Sequence, residues 1–399
     1  MITDKIIWRL TKGLSIVLSI PILLLVVIVR PLIFIRFGYF FGDRIGHFAF
    51  DVEYYLCKKN NLNQKKTLDI FFIVGPPCNN ALVRMVKRKI KITNLAVVLY
   101  EGINAMPFAA SHVIHPARLE NGSRDREELF QTSPRNLDFT LAEMLKGREY
   151  LRDVGLTEGD QYVCLIVRDN AYLSLDTSRD FSYHDYRDSD ISSYNKAAKA
   201  LSDKGYWVFR MGKVVKDPFH CSESKVIDYA SSSSKSDFLD IWLTAHCKFA
   251  ISTSTGLDAI SEIFRIPMVF INHLPIGNLK TGDPRHIELF KTLKWKKTKQ
   301  PLSLKEQIAT GAINFFGTHQ YDKQGIEISD NSEDDILAAT LEMESRLNDD
   351  WVEEPKDQIL QEKFYGILES WDEFGKYHGS AKSRICRNFL RKNHDWFLG

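Results

Sequence analysis

The sequence predicts an α/β protein with two domains, each built on a parallel sheet wound with helices. The second half of the chain carries the clearest evidence, because short apolar runs without polar alternation follow one another with helical segments between them. Such runs are typical of buried parallel strands. The first half shows a shorter series of the same kind, and 399 residues are enough for two domains of ordinary size.

The composition indicates a folded globular protein and gives no sign of nucleic acid binding or of a zinc site. Hydrophobic residues make up 44% of the chain and aromatic residues 12%, which supports packed cores and argues against disorder. The formal net charge is only +2, so nothing in the charge balance indicates nucleic acid as a partner. The six cysteines are scattered without CxxC pairs or zinc-type spacing. We expect a reducing, cytoplasmic compartment and no bound metal.

The first element is an uncharged apolar stretch from Leu14 to Val29, with basic residues on both sides. Its composition predicts membrane insertion. As a helix it reaches only about 24 Å, against about 30 Å for a hydrocarbon core, and Pro21 lies in its middle. Residues 1–36 are therefore predicted to form a membrane anchor on the cytoplasmic side of the inner membrane. The basic flanks favour a re-entrant helix, and a single span helped by Pro31 to Ile35 is the alternative.

Residues 37–156 are predicted to form the first domain. A strand ends at Phe41, and a turn bounded by Gly42 and Gly46 leads into a helix. Asp43 and His47 thus lie at the carboxyl end of a strand, where open α/β sheets bind ligands. The further predicted elements are a strand from Leu68 to Val74, a basic helix from Asn79 to Lys89, a strand from Leu95 to Tyr100, a surface loop from Ala117 to Asn136 and a helix from Asp138 to Asp153.

Residues 157–350 are predicted to form the second domain, with strand ends that gather on one rim of its sheet. Arg168 follows the first of these strands, and Arg210 and Gly212 close the second. Arginine suits a phosphate on that rim because its guanidinium binds two oxygens at once. A salt bridge is the alternative role for Arg168. Residues 351–399 are predicted to be C-terminal helices that pack on the first domain or lie on the membrane.

The most informative stretch runs from Lys248 to Asn272. A buried strand is followed by a hydroxyl-rich turn and a helix, and the turn consists of Ser252, Thr253, Ser254, Thr255 and Gly256. Unpaired N–H groups and a positive dipole at a helix start favour phosphate or pyrophosphate. Glu262, inside the helix, is placed to reach the ribose of a bound nucleotide. In the alternative interpretation, the serines and threonines only cap the helix.

Dinucleotide-dependent oxidoreductases, P-loop enzymes and serine hydrolases are disfavoured because their motifs are missing from the sequence. No strand is followed by GxGxxG, and neither GxxxxGK[ST] nor GxSxG occurs. Asp188-Ser189-Asp190 has the spelling of a metal-binding DxD cluster, but it precedes a helix and is interpreted as the N-terminal cap.

Four segments carry a resemblance to a known family. They are GDRIGHFAFDVEYYL, YRDSDISSY, GYWVFRMG and SDFLDIWLTAHCKFAISTSTGLDAISEIFRIPMVFIN. They resemble glycosyltransferases of the GT-B fold, especially a bacterial family associated with surface-polysaccharide and lipopolysaccharide biosynthesis. The resemblance covers about residues 38 to 390. It implies two Rossmann-like domains that face a cleft.

The resemblance also implies roles for particular residues. The second domain would bind a nucleotide sugar, with pyrophosphate at Ser254 to Gly256 and ribose at Glu262. The first domain would take the acceptor at Gly42 and Gly46, and Arg187 is assigned to the same side. The base that deprotonates the acceptor would be Asp43 or His47, which occupy the place of this residue in different relatives.

The implied activity is metal-independent transfer of a sugar from a nucleotide sugar, with no other cofactor, to a lipid-linked or other glycan. The anchor would hold the enzyme on the membrane that carries such an acceptor, together with other polysaccharide-assembly proteins. Two alternatives are a sugar-nucleotide 2-epimerase of the same architecture and a non-catalytic membrane scaffold. Nucleotide binding separates the scaffold from both enzymes.

Overall fold

A computed structural model describes residues 13, 16–17, 19–61, 66–172, 180 and 182–399. The chain divides into two compact units. Unit 1 contains the described residues up to Arg124 together with Thr132–Phe139, and unit 2 contains Asp125–Gln131 and Thr140–Gly399. The sheets of both units are parallel, which confirms the predicted α/β class.

Unit 1 is built on a four-stranded parallel sheet in the order β3-β2-β1-β4. Strands β1 and β2 pair over their whole length, from Phe34 opposite Thr67 to Phe41 opposite Val74. The strands are β1 Phe34–Phe41, β2 Thr67–Val74, β3 Lys91–Ile92 and β4 Val113–Ile114. The helices are α1 Ile45–Asn61, α2 Asn80–Lys89, α3 Leu95–Asn104, α4 Ala117–Asn121 and the 3₁₀ helix Pro107–His112.

The predicted strand from Leu95 to Tyr100 is wrong, because this segment lies in helix α3. Periodicity alone does not separate a short apolar run in a helix from one in a strand. The residues that pack towards the sheet recur at helical spacing, namely Ala96, Tyr100 and Ile103. The predicted surface loop from Ala117 to Asn136 likewise contains helix α4 and a short helix α5, Leu129–Thr132.

The N-terminal segment is helical from residue 19 to residue 28. Leu23 and Val26 are buried in the core of unit 1. Within the described ranges, no helix is both long and apolar enough to cross a membrane. Residues 14, 15 and 18 of the predicted apolar stretch lie outside those ranges. The extension of a span through Ile35 is wrong, since Phe34 and Ile35 pair with β2 in the sheet.

Unit 2 is built on a seven-stranded parallel sheet in the order β13-β10-β9-β8-β5-β6-β7, beside an antiparallel pair of β11 and β12. Its strands are β5 Tyr162–Ile166, β6 Trp207–Arg210, β7 Val226–Ile227, β8 Ala250–Ser252, β9 Met268–His273, β10 Ile287–Phe290, β11 Thr292–Trp295, β12 Ile326–Ser329 and β13 Arg384–Ile385.

The helices of unit 2 cover this sheet. They are α6 Leu141–Asp153, α7 Asn195–Asp203, α8 Asp237–His246, α9 Asp258–Ile263, α10 Leu304–Ala309, α11 Thr318–Lys323, α12 Glu333–Leu347, α13 Pro355–Leu368, α14 Phe374–Tyr377 and α15 Arg387–Phe397. Short 3₁₀ helices span Ser182–Arg187, Ile191–Tyr194, Tyr229–Ser231, Ile276–Asn278 and Ala312–Asn314.

The C-terminal helices belong to the core of unit 2. Strand β13 pairs with β10, and the Phe364 ring stacks on Phe290 with 5.8 Å between centroids. Phe389 and Phe397 of α15 are buried in the same cluster. Residues 351–399 thus pack within unit 2, and their predicted contact with the first domain or the membrane stays a prediction. Arg391 of α15 pairs with buried Asp357.

Helix α6 approaches α8 so closely that only glycine fits at position 147. A methyl group there would lie 2.0 Å from Cε2 of buried Trp242. We expect Gly147→Ala to lower the free energy of unfolding by about 1–3 kcal/mol, because the tryptophan has to shift. At exposed Gly366 in α13 a methyl group meets nothing within 4 Å, so Gly366→Ala should stabilise by about 0.5–1 kcal/mol. Urea unfolding measures both, and equal stability of Gly147→Ala and wild type would contradict the packing.

Candidate functional site

In unit 2, polar residues follow the carboxyl ends of the neighbouring strands β5 and β8. Ile166 is paired with Ser252, so Arg168 and the hydroxyl-rich turn meet at one edge of the sheet. The backbone N–H of Arg168 donates to Thr253 Oγ1 at 2.8 Å. The structure therefore brings together the two features that the sequence predicts on this rim.

The first hydroxyls of the turn hold its own backbone. Ser252 Oγ donates to Asp258 Oδ2 at 2.8 Å and accepts from the Ser254 N–H at 3.1 Å. Ser252 and Thr253 are buried, whereas Thr255 is half-buried and Gly256 is exposed. Only the end of the turn, Thr255 and Gly256, is thus open to a ligand. Ser254 has a φ of +60°, a left-handed conformation that the hydrogen bond to Ser252 supports.

The helix after the turn differs from the prediction. Helix α9 has only six residues, and its N-cap residue Leu257 makes no side-chain cap. The interpretation of the hydroxyls as simple helix caps is therefore wrong, and the short helix adds little dipole. Asp258, in the first turn of α9, is buried, and burial raises the pKa of its carboxyl. This favours the neutral form of Asp258 beside the turn.

Two guanidinium groups flank the turn. Arg187 Nη2 donates to the carbonyl oxygen of Ser254, and Arg168 Nε donates to Asp188 Oδ1 at 3.1 Å. The pKa of Arg168 lies below its usual value because burial and the charge of Arg187 both disfavour the cation. Burial also raises the pKa of Asp188 to about 6. An anion between the two guanidiniums would relieve their mutual repulsion.

Arg187 thus lies in unit 2 beside the turn, and its predicted place on the acceptor side stays a prediction. Its hydrogen bond to Ser254 is a contact between residues far apart in sequence, which no spacing in the chain indicates. Glu262, the predicted ribose ligand, pairs with Lys280 at 3.3 Å and keeps part of its side chain exposed. To bind a ribose, Glu262 would have to give up this ion pair with Lys280.

Arg210 and Gly212 have structural roles in the fold. The Arg210 side chain is 1% exposed, and its guanidinium pairs with Asp228 at 3.3 Å and donates to the carbonyl oxygen of Asp217 at 3.2 Å. A side chain at Gly212 would lie 2.6 Å from Val215. Both residues follow strand β6 as predicted, but the guanidinium of Arg210 points into the protein rather than onto the rim.

In unit 1, the turn between β1 and α1 carries Asp43 and His47, which differ in their surroundings. Asp43 is exposed, and His47 is half-buried. His47 Nδ1 lies 2.8 Å from Ser123 Oγ, and Ser123 Oγ donates to Asp51 Oδ1 at 2.8 Å. The other oxygen of Asp51 accepts from the Arg118 N–H at 3.3 Å. His47, Ser123 and Asp51 therefore form a hydrogen-bonded chain.

This chain fixes the tautomer of His47. Ser123 has a single hydroxyl proton, which it donates to Asp51, so His47 Nδ1 must donate in the other hydrogen bond. Neutral His47 then carries its proton on Nδ1 and a lone pair on Nε2. The imidazole is thus prepared to accept a proton at Nε2. Burial raises the pKa of Asp51 to about 6, so the chain has this polarity above that pH.

The sequence analysis missed Asp51 and Ser123. His47 and Asp51 stand four residues apart on one helix, which places them on one face and was an available signal. Ser123 comes from the segment predicted as a surface loop, and only the fold brings it to α1. Gly42 keeps the turn close to β2, because a side chain there would lie 2.4 Å from Ile73.

No group of three or more His, Cys, Asp or Glu residues arranged to hold a metal ion is found in the described ranges. Within the segment Asp188-Ser189-Asp190, Asp190 accepts from the Ser192 N–H at 2.9 Å at the start of a 3₁₀ helix. The predicted capping role of this segment is confirmed.

No protein-family model matches the chain, and no curated protein matches it. Solved structures do. E. coli ADP-heptose LPS heptosyltransferase II shares 13% identity over 59% of this chain and 84% of its own, with a TM-score of 0.36. Glycosyl transferase family 9 from Veillonella parvula DSM 2008 shares 11% over 60% and 80%, with a TM-score of 0.37. S. aureus MnaA, solved with UDP, shares 10% over 80% and 98%, with a TM-score of 0.29.

The predicted resemblance is confirmed to the extent that solved structures similar to this chain include GT-B glycosyltransferases.

Proposed function

We propose that this protein is a membrane-associated glycosyltransferase that transfers a sugar from a nucleotide sugar to a lipid-linked glycan. The observation that carries the proposal is the pair of guanidiniums, Arg168 and Arg187, beside the open end of the turn after β8. Two cations at the carboxyl ends of parallel strands suit a diphosphate. The resemblance of the surrounding sequence to GT-B enzymes supports the same assignment.

The diphosphate would be the leaving group of the reaction. As the bond between the sugar and the β-phosphate breaks, negative charge grows on the phosphate oxygens. Arg168 and Arg187 would stabilise that charge together with the backbone at Thr255 and Gly256, as a metal ion does in other transferases. Arg168 is pre-positioned by Asp188 and by the turn itself, so little reorganisation is needed during the reaction.

The acceptor hydroxyl would lose its proton to His47. The chain through Ser123 to Asp51 presents Nε2 with a lone pair, and the imidazolium that forms would be stabilised by the Asp51 carboxylate. The arrangement fits a reaction that inverts the configuration of the sugar. Asp43 is the alternative base; it is exposed at the start of the same turn.

Membrane association is supported by the segment of residues 19–28. The side chains of this segment that lie outside the core of unit 1 are apolar and exposed, among them Ile20, Leu24, Leu25 and Ile28. A helix that is apolar on nearly all sides belongs in hydrocarbon rather than in water. The basic residues on both sides of the apolar stretch support a helix held in the cytoplasmic leaflet, where a lipid-linked acceptor is within reach.

The experiment that tests the proposal is a transfer assay. Detergent-purified protein is mixed with radiolabelled nucleotide sugars of each base class and with lipid extracted from bacterial membranes. We expect one class of donor to label material that partitions into organic solvent. Binding of a nucleotide without any turnover would favour the scaffold, and conversion of the nucleotide sugar to an epimer without lipid would favour the 2-epimerase.

A further inference from the structure

Two apolar segments of unit 1 lie side by side. Ser19 Oγ donates to the carbonyl oxygen of Val98 in α3 at 3.2 Å. Leu23 and Val26 are each 2% exposed and share one hydrophobic cluster with Ala96 of α3. Residues 19–28 and α3 therefore present a common surface.

Helix α3 and the 3₁₀ helix after it add apolar side chains to that surface. Leu95 and Phe108 are each 77% exposed, and Val97 and Val98 are partly uncovered as well. Single exposed apolar residues are ordinary on proteins, but a continuous group of this size next to an apolar helix marks a binding face. The sequence does not predict this apolar face, because it predicts a buried strand from Leu95 to Tyr100.

Positive charge adjoins this face. A pocket of about 530 Å³ lies at the end of residues 19–28, with walls from apolar residues between Val27 and Phe34 and with Arg30 and Lys66 at its polar side. The Arg30 guanidinium stands over the Phe34 ring, 5.0 Å from its centroid. Within the described ranges, neither the Arg30 nor the Lys66 side chain forms an ion pair or a hydrogen bond. Two unpaired cations beside an apolar wall match a phosphate that carries acyl chains.

We propose that α3 and Phe108 insert into the same leaflet as residues 19–28, and that Arg30 and Lys66 bind the phosphate of an anionic phospholipid there. The occupant is a lipid surface rather than a protein, because the side chains of residues 19–28 outside the core are apolar and the two cations of the pocket, Arg30 and Lys66, adjoin them. This inference rests on the membrane association in the proposed function and is independent of sugar transfer.

The depth of Phe108 is measured by quenching. Phe108→Trp is incorporated into bilayers with brominated acyl chains, and the wild-type fluorescence is subtracted. We expect strong quenching of the added tryptophan. Leu141→Trp is the matched control, since Leu141 in unit 2 is also 77% exposed, and its added fluorescence should stay unquenched. Absence of quenching at Phe108, or equal quenching at both positions, would overturn the insertion of this face.

The phosphate site is measured by a competition between vesicles. Protein is offered neutral phosphatidylcholine vesicles and vesicles with added phosphatidylglycerol, and its distribution is determined after separation by density. We expect a preference for the anionic vesicles that falls about 30-fold in the double variant Arg30→Gln/Lys66→Gln, since each cation at the surface contributes about fivefold.

The double variant Arg84→Gln/Lys87→Gln is the control for general charge, because both residues lie on exposed positions of α2 in the same unit. It should change the preference by no more than about threefold. An equal loss in both double variants, or no preference in wild type, would overturn the site at Arg30 and Lys66. Neither readout involves a nucleotide sugar, so a failure here is distinguishable from a failure of the transfer reaction.

Discussion

Arg168→Ala is expected to weaken binding of the preferred nucleoside diphosphate by about 100-fold. The substitution removes one of the two guanidiniums at the turn and leaves the Asp188 carboxylate without its cation, so the site loses attraction and gains repulsion for phosphate. Loss of a charge-assisted pair of this kind costs about 2–4 kcal/mol of binding free energy. Isothermal titration with UDP, GDP, CDP, ADP, dTDP and CMP identifies the preferred nucleotide and measures the change.

The matched control is Arg285→Ala. Arg285 pairs with Asp283 in the same unit, but it precedes the start of β10 and so stands at the opposite edge of the parallel sheet. Its removal should leave nucleotide affinity within about twofold of wild type. The melting temperature without ligand shows whether Arg168→Ala remains folded. Unchanged affinity in a folded Arg168→Ala protein would remove this residue from the donor site.

The second large effect is expected for Asp51→Asn, which should lower the transfer rate by two to four orders of magnitude. The Arg118 N–H holds an acceptor oxygen at one side of residue 51, so the amide nitrogen of asparagine would face Ser123. Ser123 would then donate to His47 Nδ1, and the imidazole proton would move to Nε2. His47 would keep its position, but its Nε2 would already carry a proton and could not accept another. A catalytic histidine held in the wrong tautomer loses about this much rate in other enzymes.

The pH dependence separates this positioning role from a structural one. Burial raises the pKa of Asp51 to about 6, so protonation reverses the chain and the wild-type rate should fall as the pH drops through about 6. That step should be absent in Asp51→Asn. Because the folded pKa lies above the unfolded value, the carboxyl favours folding most below about pH 4, and this contribution is lost as the pH rises through 6. Asp51→Asn should therefore be at least as stable as wild type at pH 7 to 8.

A purely structural Asp51 would give other results. Its replacement would then lower stability and rate together, and the step near pH 6 would persist in the variant. Ser123→Ala provides a second break in the chain without a new donor. It should lower the rate less than Asp51→Asn does, because the imidazole loses its support but keeps access to both tautomers.

Much of unit 2 follows from its sequence because local pattern and tertiary burial agree there. The strands at Tyr162, Ala250 and Met268 lie in continuous apolar runs, and helix α8 is capped by Ser236, whose Oγ accepts from the Leu239 N–H at 3.2 Å. The meeting of Arg168 with the turn after β8 also follows, since parallel topology alone puts neighbouring strand ends together.

The features that were missed depend on contacts between distant residues. The place of Arg187 is set by the Ser254 carbonyl, 67 residues away in sequence. Ser123 reaches His47 across 76 residues, and polar residues in a predicted loop gave no sign of it. The six residues from Leu95 to Tyr100 fit the spacing of a strand and that of a helix equally well. Only the folded protein shows which side chains of α3 are exposed, and this pattern is helical.

The measurement that tests the central claim most directly is transfer of labelled sugar from the preferred nucleotide sugar to lipid-soluble product by the wild-type protein. We predict product that requires both the protein and the membrane lipid extract, with hydrolysis of the donor slow when lipid is left out. Tight binding of a nucleotide with no labelled product from any donor class would contradict a glycosyltransferase.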